Sequence, residues 1–88
     1  MIEREATIVN QEGLHARPAA RIVRLASTFD SEIEISKDGF GVNGKSIMGV
    51  MMLAAEFGST ITLRADGPDE EQAIEALAAL VASKFRER

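Results

Sequence analysis

The spacing of apolar residues in this 88-residue chain switches repeatedly between the two-residue period of a strand and the roughly 3.6-residue period of a helix. Ile2, Ala6 and Ile8 share one parity and predict a half-buried strand running into the loop Asn10-Gln11-Glu12-Gly13. From Pro18 the period becomes helical, with Ala19, Ile22, Val23 and Ala26 on one face and Phe29 closing the stripe. Glu32 to Lys37 alternates with Ile33 and Ile35 inward, and Asp38-Gly39 is a two-residue hairpin turn into Phe40 to Asn43. Ser46 is the natural N-cap of a short helix from Ile47 to Ala54, which Gly58-Ser59 separates from a further strand, Thr60 to Ala65. A last helix begins at Asp69, whose side chain is expected to cap it while Gln72 reaches back. Its buried stripe is Ala73, Ile74, Leu77, Leu80, Val81 and Phe85, and Lys84 and Arg86 near its end complement the helix dipole.

The element order is therefore strand, helix, strand, strand, helix, strand, helix. Clean alternation in each strand leaves one face of the sheet wet, which favours antiparallel pairing with the helices on the other face. The expected fold is α+β: an open-faced two-layer sandwich whose four-stranded antiparallel sheet carries three helices on one face. A chain this short has room for one core, so residues 1–88 are expected to form a single domain.

With no cysteine, stability has to come from packing rather than from disulfides or thiolate metal sites. One histidine and no cysteine offer no metal-ligand cluster, and neither a metal nor a cofactor is expected. The charged start Met1-Ile2-Glu3-Arg4-Glu5 lacks the apolar core of a signal peptide, and no apolar run is of membrane-spanning length, so a soluble cytoplasmic protein without membrane insertion is expected. A net charge of -4 and the absence of Trp and Tyr argue against nucleic acid as a partner. Charge is nevertheless uneven: from Gly13 to Phe29 there are three arginines, Arg17, Arg21 and Arg24, and no carboxylate. Such a local basic surface suits a phosphate or an acidic protein.

The only histidine lies on that surface, in Gly13-Leu14-His15-Ala16-Arg17-Pro18, where a proline suits the opening turn of a helix. A helix N-terminus offers backbone N–H groups without intrahelical acceptors and the positive end of the dipole, so an anion is favoured there. Imidazole can act as a nucleophile at neutral pH and carry a phosphoryl group as a phosphoramidate, while a guanidinium at Arg17 supplies paired donors to the phosphoryl oxygens. A lone histidine is more often an ordinary surface residue, but the glycine loop, the arginine and the helix start make this one a candidate nucleophile.

Two other segments bear on function. The short helix has no polar side: Ile47, Met48, Val50, Met51, Met52 and Leu53 cannot all be covered by a small domain, which leaves a surface fit for repacking against other proteins. Gly39 to Ser46 matches the P-loop pattern by its letters, and its first six residues also match the three-glycine dinucleotide pattern. The first glycine already belongs to the hairpin, Phe40 to Asn43 alternates as a strand, and a parallel nucleotide-binding sheet does not fit the chain, so nucleotide binding is not expected.

Gly13-Leu14-His15-Ala16-Arg17-Pro18-Ala19 resembles the active-site signature of the HPr family, the histidine-containing phosphocarriers of the bacterial phosphoenolpyruvate-dependent sugar phosphotransferase system (PTS). Asn43-Gly44-Lys45-Ser46-Ile47-Met48-Gly49-Val50-Met51 is similar to that family's regulatory serine region. The resemblance covers essentially the whole chain and implies a phosphocarrier rather than an autonomous enzyme. Enzyme I would phosphorylate His15 on Nδ1, the group would pass to a histidine of an enzyme IIA domain, and Arg17 with the amides around Ala16 and Arg17 would hold the phosphate. Leu14, Ala16, Ala20, Arg24, Ile47, Met48 and Met51 would form the docking surface of a monomeric carrier, with Leu14 exposed beside His15. Ser46 would be the target of HPr kinase/phosphorylase. The resemblance leaves a second reading, a nitrogen-branch or mainly regulatory relative that acts by docking and Ser46 phosphorylation. Glu12 departs from the neutral residue frequent in such proteins and puts a carboxylate near the expected phosphate.

Overall fold

The structure, a computed structural model, describes residues 1–86. Its elements are β1 (Ile2–Thr7), α1 (Ala16–Ala26), β2 (Glu32–Lys37), β3 (Phe40–Asn43), α2 (Ile47–Met52), β4 (Thr60–Asp66) and α3 (Glu70–Ala82). The strands form one antiparallel sheet in the order β1-β4-β2-β3. The expected open-faced sandwich is therefore the fold. β4 returns between β1 and β2, so the two earliest strands never touch and the sheet closes only when the chain is nearly complete.

Alternation is reflected directly in burial. Ile33 and Ile35 of β2 and Ile61, Leu63 and Ala65 of β4 point into the core, and Ile35 stands opposite Leu63. On the outer face Arg64 bridges Glu3 and Glu34 from the two flanking strands, each at 2.8 Å. The Asp38-Gly39 hairpin has φ of 53° and 84° at its two central residues, the pair of positive values that a type I′ turn requires. β3 pairs directly after it, Lys37 opposite Phe40, so the glycine-rich segment is a turn and a strand. The lysine of the P-loop lettering, Lys45, donates from Nζ to the Phe29 carbonyl at 2.8 Å.

Helix α3 lies against β1 and β4, and α1 packs against both α2 and α3. Ile22, Val50, Ile74 and Leu77 meet the buried strand residues in one apolar core. Three local expectations are corrected by tertiary structure. Helix α1 begins at Ala16, so Pro18 occupies its third position, where a missing N–H still costs no intrahelical bond. Asp69 stands at the N-cap of α3 without capping through its side chain. Its carboxylate instead accepts from the Asp30 and Ser31 amides, both at 2.9 Å, and from the Ser31 hydroxyl at 2.5 Å, latching the start of β2 to the start of α3.

The third concerns the end of α3. No basic residue occupies its last turn, because Lys84 and Arg86 lie beyond it. The Phe85 amide donates to Leu80 and the Lys84 amide to Val81, at 2.9 and 3.1 Å, with Lys84 at φ 64°. This is a Schellman turn made without glycine, and it buries Phe85 while folding the chain back toward the start of α1.

Candidate functional site

His15 is the N-cap of α1, with extended backbone (φ -76°, ψ -170°) and no side-chain cap hydrogen bond. Its imidazole therefore does not satisfy the amides of the first turn, as a serine or aspartate there would. The turn carries no acidic residue, so nothing within the helix competes with an incoming anion. The preceding backbone fixes this presentation. Gly13 sits at φ 70°, the Leu14 amide donates to the Ala55 carbonyl at 2.9 Å, and the Gly13 amide donates to the Asn10 carbonyl at 3.2 Å.

His15 opens into a cleft whose wall includes Glu12, Ala16, Arg17, Pro18 and Arg21 from its own segment, and Met51 of α2. Lys84, Phe85 and Arg86 complete the rim. The guanidinium of Arg21 donates to the Phe85 carbonyl and so fastens the C-terminal turn to α1. Cations from two distant parts of the chain thus line the cleft of one histidine in a protein of net charge -4. Glu12 is the single carboxylate of the described cleft wall. Its carboxyl is held below the usual glutamate range, first by its own backbone amide and the Asn10 side chain, then by the nearby Arg17 guanidinium.

Most of the expected docking residues lie on this side of the molecule. Ala16 and Arg24 are exposed, Ala20 is half-buried, and α2 brings Ile47, Met48 and Met51 to the surface beside α1, with Met48 75% exposed. Leu14 does not belong with them. It is 3% exposed and part of the core, because the hydrogen bond of its amide to Ala55 turns the side chain away from the surface that His15 occupies.

Ser46 is half-buried and caps α2, its Oγ accepting from the Gly49 amide at 3.1 Å. The expected docking set left out Met52 and Phe57, which are 65% and 62% exposed, and the C-terminal rim. The all-apolar lettering of α2 pointed to the first of these. Lys84 and Arg86 gave no comparable signal, since their position depends on a turn that lacks its usual glycine.

An open-faced sandwich that leaves a histidine at an uncapped helix start, in a cleft lined by cations, is a scaffold for handling an anion at its surface. Residues 2–83 match the PTS-HPr family, described as the PTS HPr component phosphorylation site. The phosphocarrier protein HPr of Cupriavidus necator is 54% identical over 87 residues, covering 99% of this chain and 98% of the relative. The HPr-like protein Crh of Halalkalibacterium halodurans is 53% identical over 81 residues, or 92% of this chain and 96% of its own. The crystal structure of HPr-C-His from Thermoanaerobacter tengcongensis superposes with a TM-score of 0.95 at 51% identity, covering 100% of this chain and 99% of that one. The chain belongs to the HPr family of PTS phosphocarrier proteins. Among the described residues no helix is long and apolar enough to cross a membrane.

Proposed function

We propose that this protein accepts a phosphoryl group from phosphorylated enzyme I on His15 Nδ1 and passes it to a histidine of an enzyme IIA domain during sugar uptake. The observation that carries this reading is the uncapped N-cap histidine with Arg17 on the first turn of α1, in a cleft rimmed by cations. The amides of Ala16 and Arg17 and the Arg17 guanidinium would share the phosphoryl oxygens. The protein is the carrier and not an enzyme by itself, since the partners complete the site. It must accept and release with similar ease, so moderate stabilisation serves it better than tight binding.

Ala16, Ala20, Arg24, Ile47, Met48 and Met51 form the proposed docking face, mostly apolar with the cation of Arg24, which suits an acidic partner. A monomer presents this whole face. Ser46 is proposed as a regulatory phosphorylation site for HPr kinase/phosphorylase. Phosphate on its Oγ would add negative charge to the edge of the docking face and so weaken the encounter with an acidic partner. A second reading, a mainly regulatory protein acting through docking and Ser46, is favoured by the similarity to Crh.

Incubation with enzyme I and labelled phosphoenolpyruvate separates the two. Acid-labile label is expected on the wild type and absent from His15→Ala. Label that persists in the variant, or never enters the wild type, overturns the carrier reading and leaves the regulatory one.

A further inference from the structure

A negative charge stands in the same cleft where the proposed chemistry would put another. Glu12 lines the same cleft as His15 and Arg17, three residues before the N-cap of α1. Its side chain is exposed and is tied to the loop by one hydrogen bond. Asn10, 4% exposed, donates from Nδ2 to Glu12 Oε1 at 3.3 Å and to the Gly13 carbonyl at 3.0 Å. Both of those acceptors call for the NH2 end of the amide, which fixes its orientation. Asn10 Oδ1 is then left buried without a donor among the described residues. A buried oxygen without a donor is a cost to folding, so Asn10 is poorly accounted for as packing. What its side chain does achieve is to close the loop that presents His15, through the Gly13 carbonyl, and to tie the Glu12 carboxylate to that loop.

We propose that Glu12, positioned by Asn10, destabilises the phosphorylated form of His15 and so raises its tendency to give up the phosphoryl group. This rests on the phosphohistidine reading above. In transfer the Nδ1–P bond breaks with its electron pair returning to the ring, while a new N–P bond forms on the acceptor imidazole. A ring that carries its proton on Nε2 then departs as neutral imidazole, and no further co-reactant is needed. This carboxylate acts twice on this step. It repels the phosphate dianion held by Arg17, and it favours the protonated ring, the form from which the phosphoryl group leaves. Arg17 and Glu12 thus act in opposite senses within one cleft, one attracting the group and the other limiting how firmly it is held.

The test loads wild type, Glu12→Gln, Asn10→Ala and the double variant with labelled phosphate through enzyme I, isolates them, and follows loss of label across the neutral pH range. Glutamine keeps an acceptor for Asn10, so the fold is preserved while the charge is removed. At low salt Glu12→Gln is expected to lose phosphate about three- to tenfold more slowly, the effect of one nearby charge in a partly aqueous site. The phosphoryl equilibrium with enzyme I should move toward the carrier in the same direction. In about 1 M salt, where the Debye length falls to about 3 Å, the gap should narrow, which a purely structural role would not produce. Asn10→Ala should reproduce part of the effect, with little added in the double variant. Equal or faster loss from Glu12→Gln at low salt, or a gap indifferent to salt, overturns the role of Glu12. An Asn10→Ala variant that folds and decays like wild type overturns the positioning by Asn10. A wild type that never takes label instead removes the phosphohistidine reading beneath both.

Discussion

Gly13 decides where His15 points. Its φ of 70° already disfavours a side chain, and a Cβ built there would lie 2.5 Å from the Ala55 carbonyl oxygen and 3.1 Å from Glu56 Cα. Those atoms are backbone, so they cannot step aside as a flexible side chain could. Gly39 provides the control, since it too has positive φ, 84°, but nothing lies within 4 Å of its Cβ position. Gly13→Ala and Gly39→Ala therefore share the conformational penalty and differ in the clash. Gly13→Ala should be less stable than Gly39→Ala by about 1–3 kcal/mol, the usual range for an overpacked site. Urea unfolding of the pair measures it. Because the clash falls on the hydrogen-bonded contact between the His15 loop and Ala55, Gly13→Ala should also slow phosphorylation by enzyme I, while Gly39→Ala should not. Equal midpoints for the two would show that the loop moves aside without strain.

At the scale of elements, α2 is the least self-sufficient, with six residues and only Val50 buried within it. A helix this short is far below the length at which a helix is stable alone, so its cap and its packing carry it. Ser46→Ala removes the bond to the Gly49 amide and should cost about 1 kcal/mol of global stability, read from the denaturant midpoint. His15 labelling by enzyme I should survive, and its loss would mean that the cap orders the cleft as well. The Ser46 cap, the Asp38-Gly39 turn and the alternation of β2 and β4 were all legible because each is decided within four or five residues of chain. Three other features are decided by distant partners and left no local trace. Leu14 is a single apolar residue in a polar loop, and its burial depends on the Ala55 carbonyl, forty-one residues on. Asp69 has the chemistry of a capping residue, but two backbone amides and a hydroxyl from Asp30 and Ser31 outcompete the helix for its carboxylate. The turn at Lys84 uses a non-glycine left-handed residue, and the burial of Phe85 supplies what propensity lacks. For the site, the same division holds: His15, Arg17 and α2 were readable from neighbouring residues, whereas the C-terminal rim and the hold of Asn10 on Glu12 required the folded chain.

Across the whole molecule, charge is organised so that carboxylates tie the sheet and α3 together while cations gather at the His15 cleft. The Asp69 carboxyl is held below its usual range, first by the Ser31 hydroxyl and then by the Asp30 amide. Glu70 is lowered by the Gly67 amide and by the chain's own N-terminal ammonium, which lies 3.1 Å from its Oε2. A carboxyl that ionises more readily when folded binds fewer protons in the native state than in the unfolded chain. Its contribution to stability is therefore complete above the unfolded values, about 3.9 for Asp and 4.3 for Glu, and is lost as pH falls through the lower folded values. The ammonium has the opposite sign: the Glu70 contact raises it, so its contribution is present in the neutral range and fades as pH climbs through the raised value. Stability should consequently form a plateau between the two, with an acid limb set largely by the latch that joins the starts of β2 and α3. Asp69→Asn tests that assignment, because asparagine keeps one acceptor but cannot ionise. The variant should be less stable than wild type at neutral pH, and the difference should shrink as pH falls below the carboxylate range, since the wild type loses there what the variant never had. Urea midpoints measured against pH would give converging curves. Curves that stay parallel into acid would place the acid sensitivity outside the latch, on Glu70 and Glu12, the other carboxyls held below their usual range.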